Sequence, residues 1–221
     1  MMYNKNKHFI INLDAGVKSI PYLPNVDIRD TIDITDLIIN HKIGPNSAII
    51  TAVNLFITKF NELIEIIKSK YYRNLEFIVV DTPGQIEVFL WSISGFIIVN
   101  LLKYSYKTII LFLVDMKKAS NFLLLISNLL YCLSIMFKTK TKILIIFNKT
   151  ANKSKHFWNY LANQQSILNY EHLSSKTYIG DLINLFLDLV FRHSLGNIFY
   201  NDFSSFKKKC LNEFFIYLCS I

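Results

Sequence analysis

The segment Asp81-Thr82-Pro83-Gly84-Gln85 combines, at close spacing, residue types that suit phosphate chemistry, and it directly follows an apolar run. A carboxylate at a strand end can hold a Mg²⁺-bound water, a glycine lets its backbone N–H approach a phosphate, and a neighbouring glutamine can orient a water molecule. The segment therefore predicts a site that reads the γ-phosphate of a nucleoside triphosphate. An ordinary turn is the alternative that the segment alone leaves open.

A second polar pair, Asn148-Lys149, follows a later apolar run. Such a pair at a strand end is the beginning of the NKxD motif that recognises guanine. The pair is a weak signal alone. It gains weight because it comes after the Asp81 segment, in the order that a nucleotide site requires.

These polar residues follow apolar runs whose β-branched and aromatic side chains are typical of buried strands. The runs cover residues 9–13, 75–80, 108–114 and 143–147. Continuous runs of this kind predict a parallel sheet that is covered on both faces. Three runs lead into Asp14, Asp81 and Asn148, which we expect to share one crevice at the carboxyl ends of the strands. The fourth run leads into Asp115, which is either a further member of that edge or a helix cap.

Helical patterns lie between the predicted strands. Apolar residues recur at helical spacing between positions 53 and 67, with Lys59, Glu62 and Glu65 on other faces. The apolar set is Val53, Phe56, Phe60, Leu63, Ile64 and Ile67. A later set, at 182, 185, 186, 189 and 190, predicts another amphipathic helix. The alternation predicts an α/β fold in which crossover helices cover a mostly parallel sheet.

The charge of this 221-residue chain is unevenly distributed. The formal net charge is +8, and residues 116–170 contain eight Lys and no Asp or Glu. A nucleic-acid surface needs basic residues clustered on one face. Neither Arg nor an interleaved aromatic platform accompanies these lysines. We expect a solvated rim and no nucleic-acid partner.

The uncharged stretch 119–137 has the length of a membrane span. Ser120, Ser127 and Ser134 recur every seven residues, however, so the polar groups fall on one stripe of a helix. We expect a mostly buried helix and no membrane association. Three cysteines without a CxxC pair exclude a disulfide framework and a paired-cysteine metal site.

Several segments together resemble the GPN-loop GTPases. They are residues 9–14, 25–31, 44–46 (Gly44-Pro45-Asn46) and 81–95. The last of them, with 127–131 and 138–140, resembles the branch known as XPA-binding protein one. The resemblance covers about residues 8–150 in the order of the family. It implies a single domain over residues 1–221, with 151–221 as a divergent helical closing part.

The resemblance implies a P-loop NTPase-like three-layer fold, GTP and Mg²⁺ as ligands, and GTP hydrolysis. It implies a homodimer, or a heterodimer with a paralogous member, that assists assembly and nuclear import of RNA polymerase II. RNA polymerase II subunits would be partners, and the protein would be cytoplasmic and move to the nucleus. The implied site residues are Asp14, Gln85 and Asn46 as catalytic residues, Gly84, Asn148 and Lys149 as nucleotide-binding residues, Gly44, Pro45 and Asn46 as the GPN loop, and Asp81 as the metal ligand.

Two departures from the family concern nucleotide binding. Family members open with a phosphate loop, G-x-x-x-x-G-K-[ST], on a first strand and helix, but none of the six Gly here is followed by Lys. That loop supplies most of the phosphate affinity. Ala151 stands where NKxD has its Asp, so each guanine donor left unpaired would cost roughly 1–3 kcal/mol. We expect the first strand and helix to be absent and guanine selectivity to be weak.

A smaller departure concerns the turn after the first run. The Leu-Asp-Pro-Ala of the family reads Leu13-Asp14-Ala15-Gly16 here. Exchanging a proline with a fixed φ for Ala-Gly is expected to loosen the turn that aims Asp14.

The sequence leaves two hypotheses open. The chain is either a GTPase of this family, whose opening strand is missing from the gene model or whose site is weakened, or a hydrolysis-deficient interaction protein that keeps the fold and dimer surface. Asp14, Asn46, Asp81 and Gln85 favour the first hypothesis. The missing phosphate loop and Ala151 favour the second.

Overall fold

The structure is a computed structural model that describes residues 8–69, 75–115, 122–149 and 198–199. The chain divides into two compact units, Met1–Lys107 and Thr108–Ile221, and each is described by itself. The single domain that the resemblance implies over residues 1–221 stays a prediction.

The first unit contains a three-stranded parallel sheet with the order β2-β1-β3. The strands are β1 (His8–Asn12), β2 (Val26–Asp27) and β3 (Phe77–Asp81). Asn12 lies opposite Asp27 on one side and opposite Asp81 on the other. The Leu13 N–H also donates to the Asp81 carbonyl at 2.8 Å. The carboxyl ends of all three strands therefore lie in one row.

Five α-helices and one 3₁₀ turn, Ile28–Asp30, complete the described part of this unit. The helices are α1 (Ile34–His41), α2 (Pro45–Ile57), α3 (Phe60–Lys68), α4 (Ile86–Leu90) and α5 (Ile93–Ser105). All six apolar residues of the 53–67 pattern are buried, as predicted. Lys59, Glu62 and Glu65 are exposed.

The 53–67 pattern is divided between two helices that are bent by 53°. The break lies at Thr58 and Lys59, whose backbone N–H groups donate to carbonyls three residues back, at Leu55 and Phe56. The Thr58 hydroxyl also donates to the Leu55 carbonyl, at 2.7 Å. These tighter bonds replace the α-helical pattern and end α2.

Helices α4 and α5 meet at a corner that requires glycine. The Ser92 side chain caps α5 by accepting from the Gly95 N–H at 3.1 Å. A Cβ at position 95 would overlap the carbonyl oxygen of Phe89. Gly95 therefore permits the close approach that fixes where α4 and the preceding turn lie.

The second unit contains a parallel sheet with the order β4-β5-β6. Its elements are β4 (Ile109–Asp115), α6 (Phe122–Thr139), β5 (Lys142–Asn148) and β6 (Ile198–Phe199). Asp115 lies opposite Asn148 at the carboxyl ends of β4 and β5. The four predicted strands thus exist, shifted by one or two residues, and the predicted α/β class with parallel sheets is confirmed.

Burial of both sheet faces is confirmed for β5 and wrong for β3 and β4. Residues 143–147 of β5 are all buried. In β4, Phe112 and Val114 are buried, whereas Leu111 and Leu113 are 40% and 63% exposed. Alternate residues of a strand point to opposite faces, so one face of β4 is covered and the other is exposed. Val79, in the middle of β3, is 49% exposed.

Two further predictions concern helices. The predicted helix at 182–190 lies outside the described residues, as does Ala151. In α6, Ser127 is exposed and Ser134 half-buried, and their hydroxyls donate to carbonyls three residues back. Among the described helices none is by itself long and apolar enough to cross a membrane, and α2 and α3 meet the length and composition test only as a bent pair.

Candidate functional site

A pocket of about 240 Å³ opens at the carboxyl ends of β1 and β3 in the first unit. It is lined by Asp14, Gly16, Val17, Ile49, Pro83, Gly84 and Gln85. The fold therefore brings two predicted catalytic residues, Asp14 and Gln85, and the predicted nucleotide-binding residue Gly84 to one concave surface. Sites in parallel sheets form at this edge.

The loop after β1 forms one wall of the pocket. Asp14 Oδ1 accepts from the Gly16 N–H at 3.0 Å, which closes a turn around Ala15. Ala15 is buried, and Asp14 is half-buried. A side-chain hydrogen bond thus closes the turn that follows β1.

A largely buried network of polar side chains, none of which lines the pocket, holds this loop by hydrogen bonds. The Asn12 side chain accepts from the Asp14 N–H at 3.0 Å and donates to Asp27 Oδ1 at 3.0 Å. Arg29 donates to both Asp27 carboxylate oxygens and, from Nη1, to the Val17 carbonyl at 3.1 Å. The Arg29 hydrogen bonds lower the pKa of Asp27 despite its burial. None of these three residues was predicted for the site from the sequence.

The segment 25–31 contained the signal for that network. In the sequence, this segment indicates only the resemblance to the family. An Asp followed two residues later by Arg, at the end of a short strand, can cap a turn and hold the guanidinium at once. The Asp27 side chain does both, since it also accepts from the Arg29 backbone N–H at 2.9 Å.

Asp81, the predicted metal ligand, ends β3 and is half-buried. The Tyr22 hydroxyl donates to its Oδ2. Burial, and next the hydrogen bond to Asp81, raise the pKa of Tyr22 far above its usual range. Tyr22 is thus a further residue beside the site that the sequence did not reveal. The contact is not visible in the sequence because Tyr22 lies 59 positions away from Asp81.

The Asp81 carboxylate suits Mg²⁺, which prefers oxygen ligands and commonly takes one or two protein carboxylates together with waters and substrate phosphates. In the described part of the chain, no three His, Cys, Asp or Glu side chains are grouped to hold a metal ion. The residues present therefore fit a Mg²⁺ that is bound jointly with phosphate oxygens.

Gly84 and Gln85 form the turn into α4. An added Cβ at Gly84 would meet nothing within 4 Å, so the fold itself leaves space for a larger residue there. Gln85 precedes α4 in an extended conformation, makes no side-chain cap hydrogen bond and is exposed. Its amide is therefore presented at the pocket, where Gln85 is a lining residue.

Gly44, Pro45 and Asn46 form the start of α2. Gly44 is the N-cap, Pro45 occupies the first turn, and all three residues are exposed. Proline suits this position because the first helical N–H groups have no partner within the helix. The three residues do not line the pocket described above, but Ile49, one turn further along α2, does.

The predicted base-binding residues lie in the second unit. Asn148 Oδ1 accepts from the Lys149 N–H at 2.8 Å, and Lys149 Nζ forms an ion pair with Asp115 at 2.7 Å. Lys149 has a left-handed backbone, with φ of 60°. Asp14 follows β1 and Asp81 ends the neighbouring strand β3. That Asn148 shares their crevice stays a prediction.

Comparison with known proteins gives one consistent result. Residues 1–193 match the family model described as a conserved hypothetical ATP binding protein. The chain is 39% identical to GPN-loop GTPase 1 of Dictyostelium discoideum, over 81% of this chain and 45% of the relative. It is 37% identical to GPN-loop GTPase 1 of Schizosaccharomyces pombe, over 87% of this chain and 56% of the relative. The chain thus spans about half the length of the curated relatives it matches.

A solved structure supports the fold. A GTPase in apo form from Pyrococcus abyssi matches with a TM-score of 0.71, over 89% of this chain and 79% of that one. The sequence identity is 21%, so this likeness shows the fold alone. It confirms the predicted P-loop NTPase-like α/β class.

Proposed function

This chain belongs to the GPN-loop GTPase family, and on that premise we propose that it binds and hydrolyses GTP and assists assembly and nuclear import of RNA polymerase II. The observation that carries the catalytic part is the pocket shared by Asp14, Gly84 and Gln85. These residues come from two separate segments, and the ends of β1 and β3 bring them together.

Asp14, Gly84 and Gln85 each have a chemical role in this proposal. The Gly84 backbone N–H donates to the γ-phosphate, which can approach closely because there is no Cβ. The Gln85 amide orients the attacking water, and Asp14 accepts a hydrogen bond from it. Asp14 Oδ1 already accepts from Gly16, so Oδ2 is the oxygen proposed for this contact.

Asp81 is the residue proposed to hold Mg²⁺. When bound, the ion would neutralise negative charge on the phosphate oxygens. The Tyr22 hydroxyl donates a hydrogen bond to the Asp81 carboxylate and thereby fixes the direction in which that carboxylate points. Asn148 and Lys149 are proposed to contact the base, with weak guanine selectivity because Ala151 offers no carboxylate.

The dimer is the second part of the proposal. Asn46 is exposed at the start of a 13-residue helix, where an amide could donate to phosphates bound by a partner chain. We propose a homodimer or a heterodimer with a paralogous member, RNA polymerase II subunits as clients, and a cytoplasmic protein that moves to the nucleus.

A hydrolysis-deficient interaction protein is the second candidate. One specific observation favours it: Ala151 stands where the NKxD motif has the Asp that pairs with guanine. The pocket thus favours hydrolysis, Ala151 favours the second candidate, and a measurement of GTP turnover distinguishes them.

The test is GTP hydrolysis and binding by the purified full chain with Mg²⁺. Asp81→Asn is expected to abolish hydrolysis, whereas Asp36→Asn, at an exposed aspartate on α1, should not change it. Gly84→Ala should leave the unfolding midpoint unchanged, because an added Cβ meets no atom within 4 Å, and should weaken GTP binding measured by calorimetry. Hydrolysis that survives Asp81→Asn would contradict the site. Folded protein that binds neither GTP nor ATP would favour the second candidate.

Client binding needs a separate experiment. Tagged full chain is expected to retain RNA polymerase II subunits from a cell extract, and light scattering should give the mass of a dimer. A monomer that retains no polymerase subunit would contradict this part of the proposal and leave the catalytic part intact.

A further inference from the structure

The loop of residues 14–18 is held at both ends by side chains that lie outside the pocket. At its start, the Asp14 N–H donates to Asn12 Oδ1 at 3.0 Å. At its end, Arg29 Nη1 donates to the carbonyls of Val17 and Lys18, at 3.1 and 3.4 Å. Asp14, Gly16 and Val17, all within this loop, line the pocket.

Asp27 connects the two anchors. One of its oxygens accepts from Asn12 Nδ2 at 3.0 Å and from Arg29 Nε at 2.9 Å, and the other accepts from Arg29 Nη2 at 2.6 Å. The pairing of β1 with β2 places Asn12 opposite Asp27. The connection therefore depends on the sheet itself and not on a flexible contact.

Burial makes this arrangement demanding. Asn12 is 0% exposed and Asp27 is 6% exposed. A buried amide or carboxylate that moves away from its partners loses hydrogen bonds that water cannot replace there. The planar guanidinium of Arg29 satisfies two carboxylate oxygens and a carbonyl at fixed angles, which an ammonium group cannot do. Arg29 itself is 28% exposed, so burial constrains the Asn12 end of the loop more strongly than the Arg29 end.

We infer that Asn12, Asp27 and Arg29 are positioning residues that fix the loop 14–18. They thereby hold Asp14 in place in the pocket that it lines together with Gly84 and Gln85. The catalytic meaning of this inference rests on the proposed function, in which Asp14 acts in hydrolysis. None of the three is among the described residues that line the pocket. Their loss should therefore lower turnover and leave nucleotide affinity nearly unchanged.

The first measurement is amide hydrogen exchange of the full-length chain. Asp27→Asn should raise the exchange rate of residues 14–18 at least tenfold and leave residues 45–57 of α2 unchanged. Asp33→Asn is the matched control, because Asp33 also caps a helix through its side chain, which accepts from the Thr35 N–H. It is exposed and is the N-cap of α1, away from β2 and the 3₁₀ turn that Asp27 caps. Unchanged exchange of residues 14–18 in Asp27→Asn would overturn the inference.

The second measurement separates positioning from stability. At a temperature where every variant is folded by circular dichroism, kcat for GTP should fall about tenfold to hundredfold in Asp27→Asn, as expected when a catalytic group is misplaced by about 1 Å. KM should change less than threefold. Arg29→Lys, which keeps the charge and disturbs the buried residues less, should give the same pattern. Full activity in Arg29→Lys would overturn the requirement for the guanidinium geometry.

The two proposals fail in different ways. If the wild-type chain hydrolyses no GTP, the proposed function fails, and the exchange rate of residues 14–18 still decides whether the network fixes the loop. If the wild-type chain is active and Asp27→Asn keeps its kcat while exchange in the loop rises, the proposed function stands and the positioning role is wrong.

Discussion

Two parallel strands of this chain end in asparagine, and the two asparagines differ in what surrounds them. Asn12 ends β1 and Asn148 ends β5, and each side-chain oxygen accepts from a backbone N–H just downstream, at 3.0 and 2.8 Å. Asn12 is completely buried, and its side-chain amide donates to Asp27 Oδ1. Asn148 is half-buried, and Lys149 beside it pairs with Asp115 at the surface.

The comparison shows that similar side-chain hydrogen bonds at two strand ends differ in how firmly they hold the chain. Where the asparagine is buried, its hydrogen bonds determine the position of a loop, because any other position leaves polar groups unpaired. Where it is half-exposed, water can replace the same bond, and the turn keeps only a small preference. We infer that the carboxyl end of β1, with Asn12 and Asp14 (the Asp14 edge), is held more rigidly than the carboxyl end of β5, with Asn148 and Lys149 (the Asn148 edge).

The largest expected difference is in stability. Asn12→Leu keeps the number and branching of the side-chain heavy atoms but leaves the Asp14 N–H and one Asp27 hydrogen-bonding position without a partner. The free energy of unfolding should fall by about 2–4 kcal/mol. Urea denaturation followed by circular dichroism measures this change.

Asn148→Leu is the matched variant at the other strand end. It removes the same kind of hydrogen bond at a half-buried position, so its cost should stay below about 1 kcal/mol. Equal losses in the two variants would show that burial is not what distinguishes the two edges.

The sequence predicted the frame of this comparison but not the network. Apolar runs located β1, β3, β4 and β5, because strand burial is visible as a local pattern. Asn12 is the polar residue within the apolar run 9–13, and the sequence does not indicate which side chain it contacts. Its partner, Asp27, is 15 positions away on a strand of only two residues, which is too short to give a periodic signal.

The candidate site was predicted to a similar extent. Asp14 was predicted from its position after an apolar run, and Gly84 and Gln85 from the residue types of the segment 81–85; all three line one pocket. Tyr22 could not be predicted, because its contact with Asp81 depends on how the loop between β1 and β2 places its hydroxyl at the end of β3. Burial of β4 on both faces was wrong, since a continuous apolar run does not reveal whether both faces have something to pack against.

A smaller change in the free energy of unfolding is expected at acidic pH. The hydrogen bonds from Arg29 lower the pKa of Asp27 in the folded chain, so the unfolded chain binds more protons as the pH falls. The stability that ionised Asp27 contributes is complete above the unfolded-state pKa of about 4 and is lost as the pH falls through the lower folded-state pKa. The stability difference between the wild type and Asp27→Asn should therefore be constant from pH 7 to 5 and shrink below about pH 4.

Denaturation at a series of pH values measures this difference. Hydrogen bonds from Thr35 also lower the pKa of Asp33, but Asp33 is present in both proteins, so its titration cancels in the difference. A difference that stays constant down to pH 2 would show that ionised Asp27 is not what stabilises the network.

The smallest effect is expected at the Asn148 edge. Lys149 and Asp115 are 48% and 27% exposed, so water screens their attraction, and Asp115→Asn should cost roughly 0–1 kcal/mol. The loss should decrease further in 1 M salt, where charges interact over only about 3 Å. A double-mutant cycle with Lys149→Met measures the interaction of the pair. A coupling above about 2 kcal/mol, beyond the range of exposed pairs, would mean that Asp115 holds Lys149 as firmly as Asp27 holds Arg29, and the two edges would then be preorganised alike.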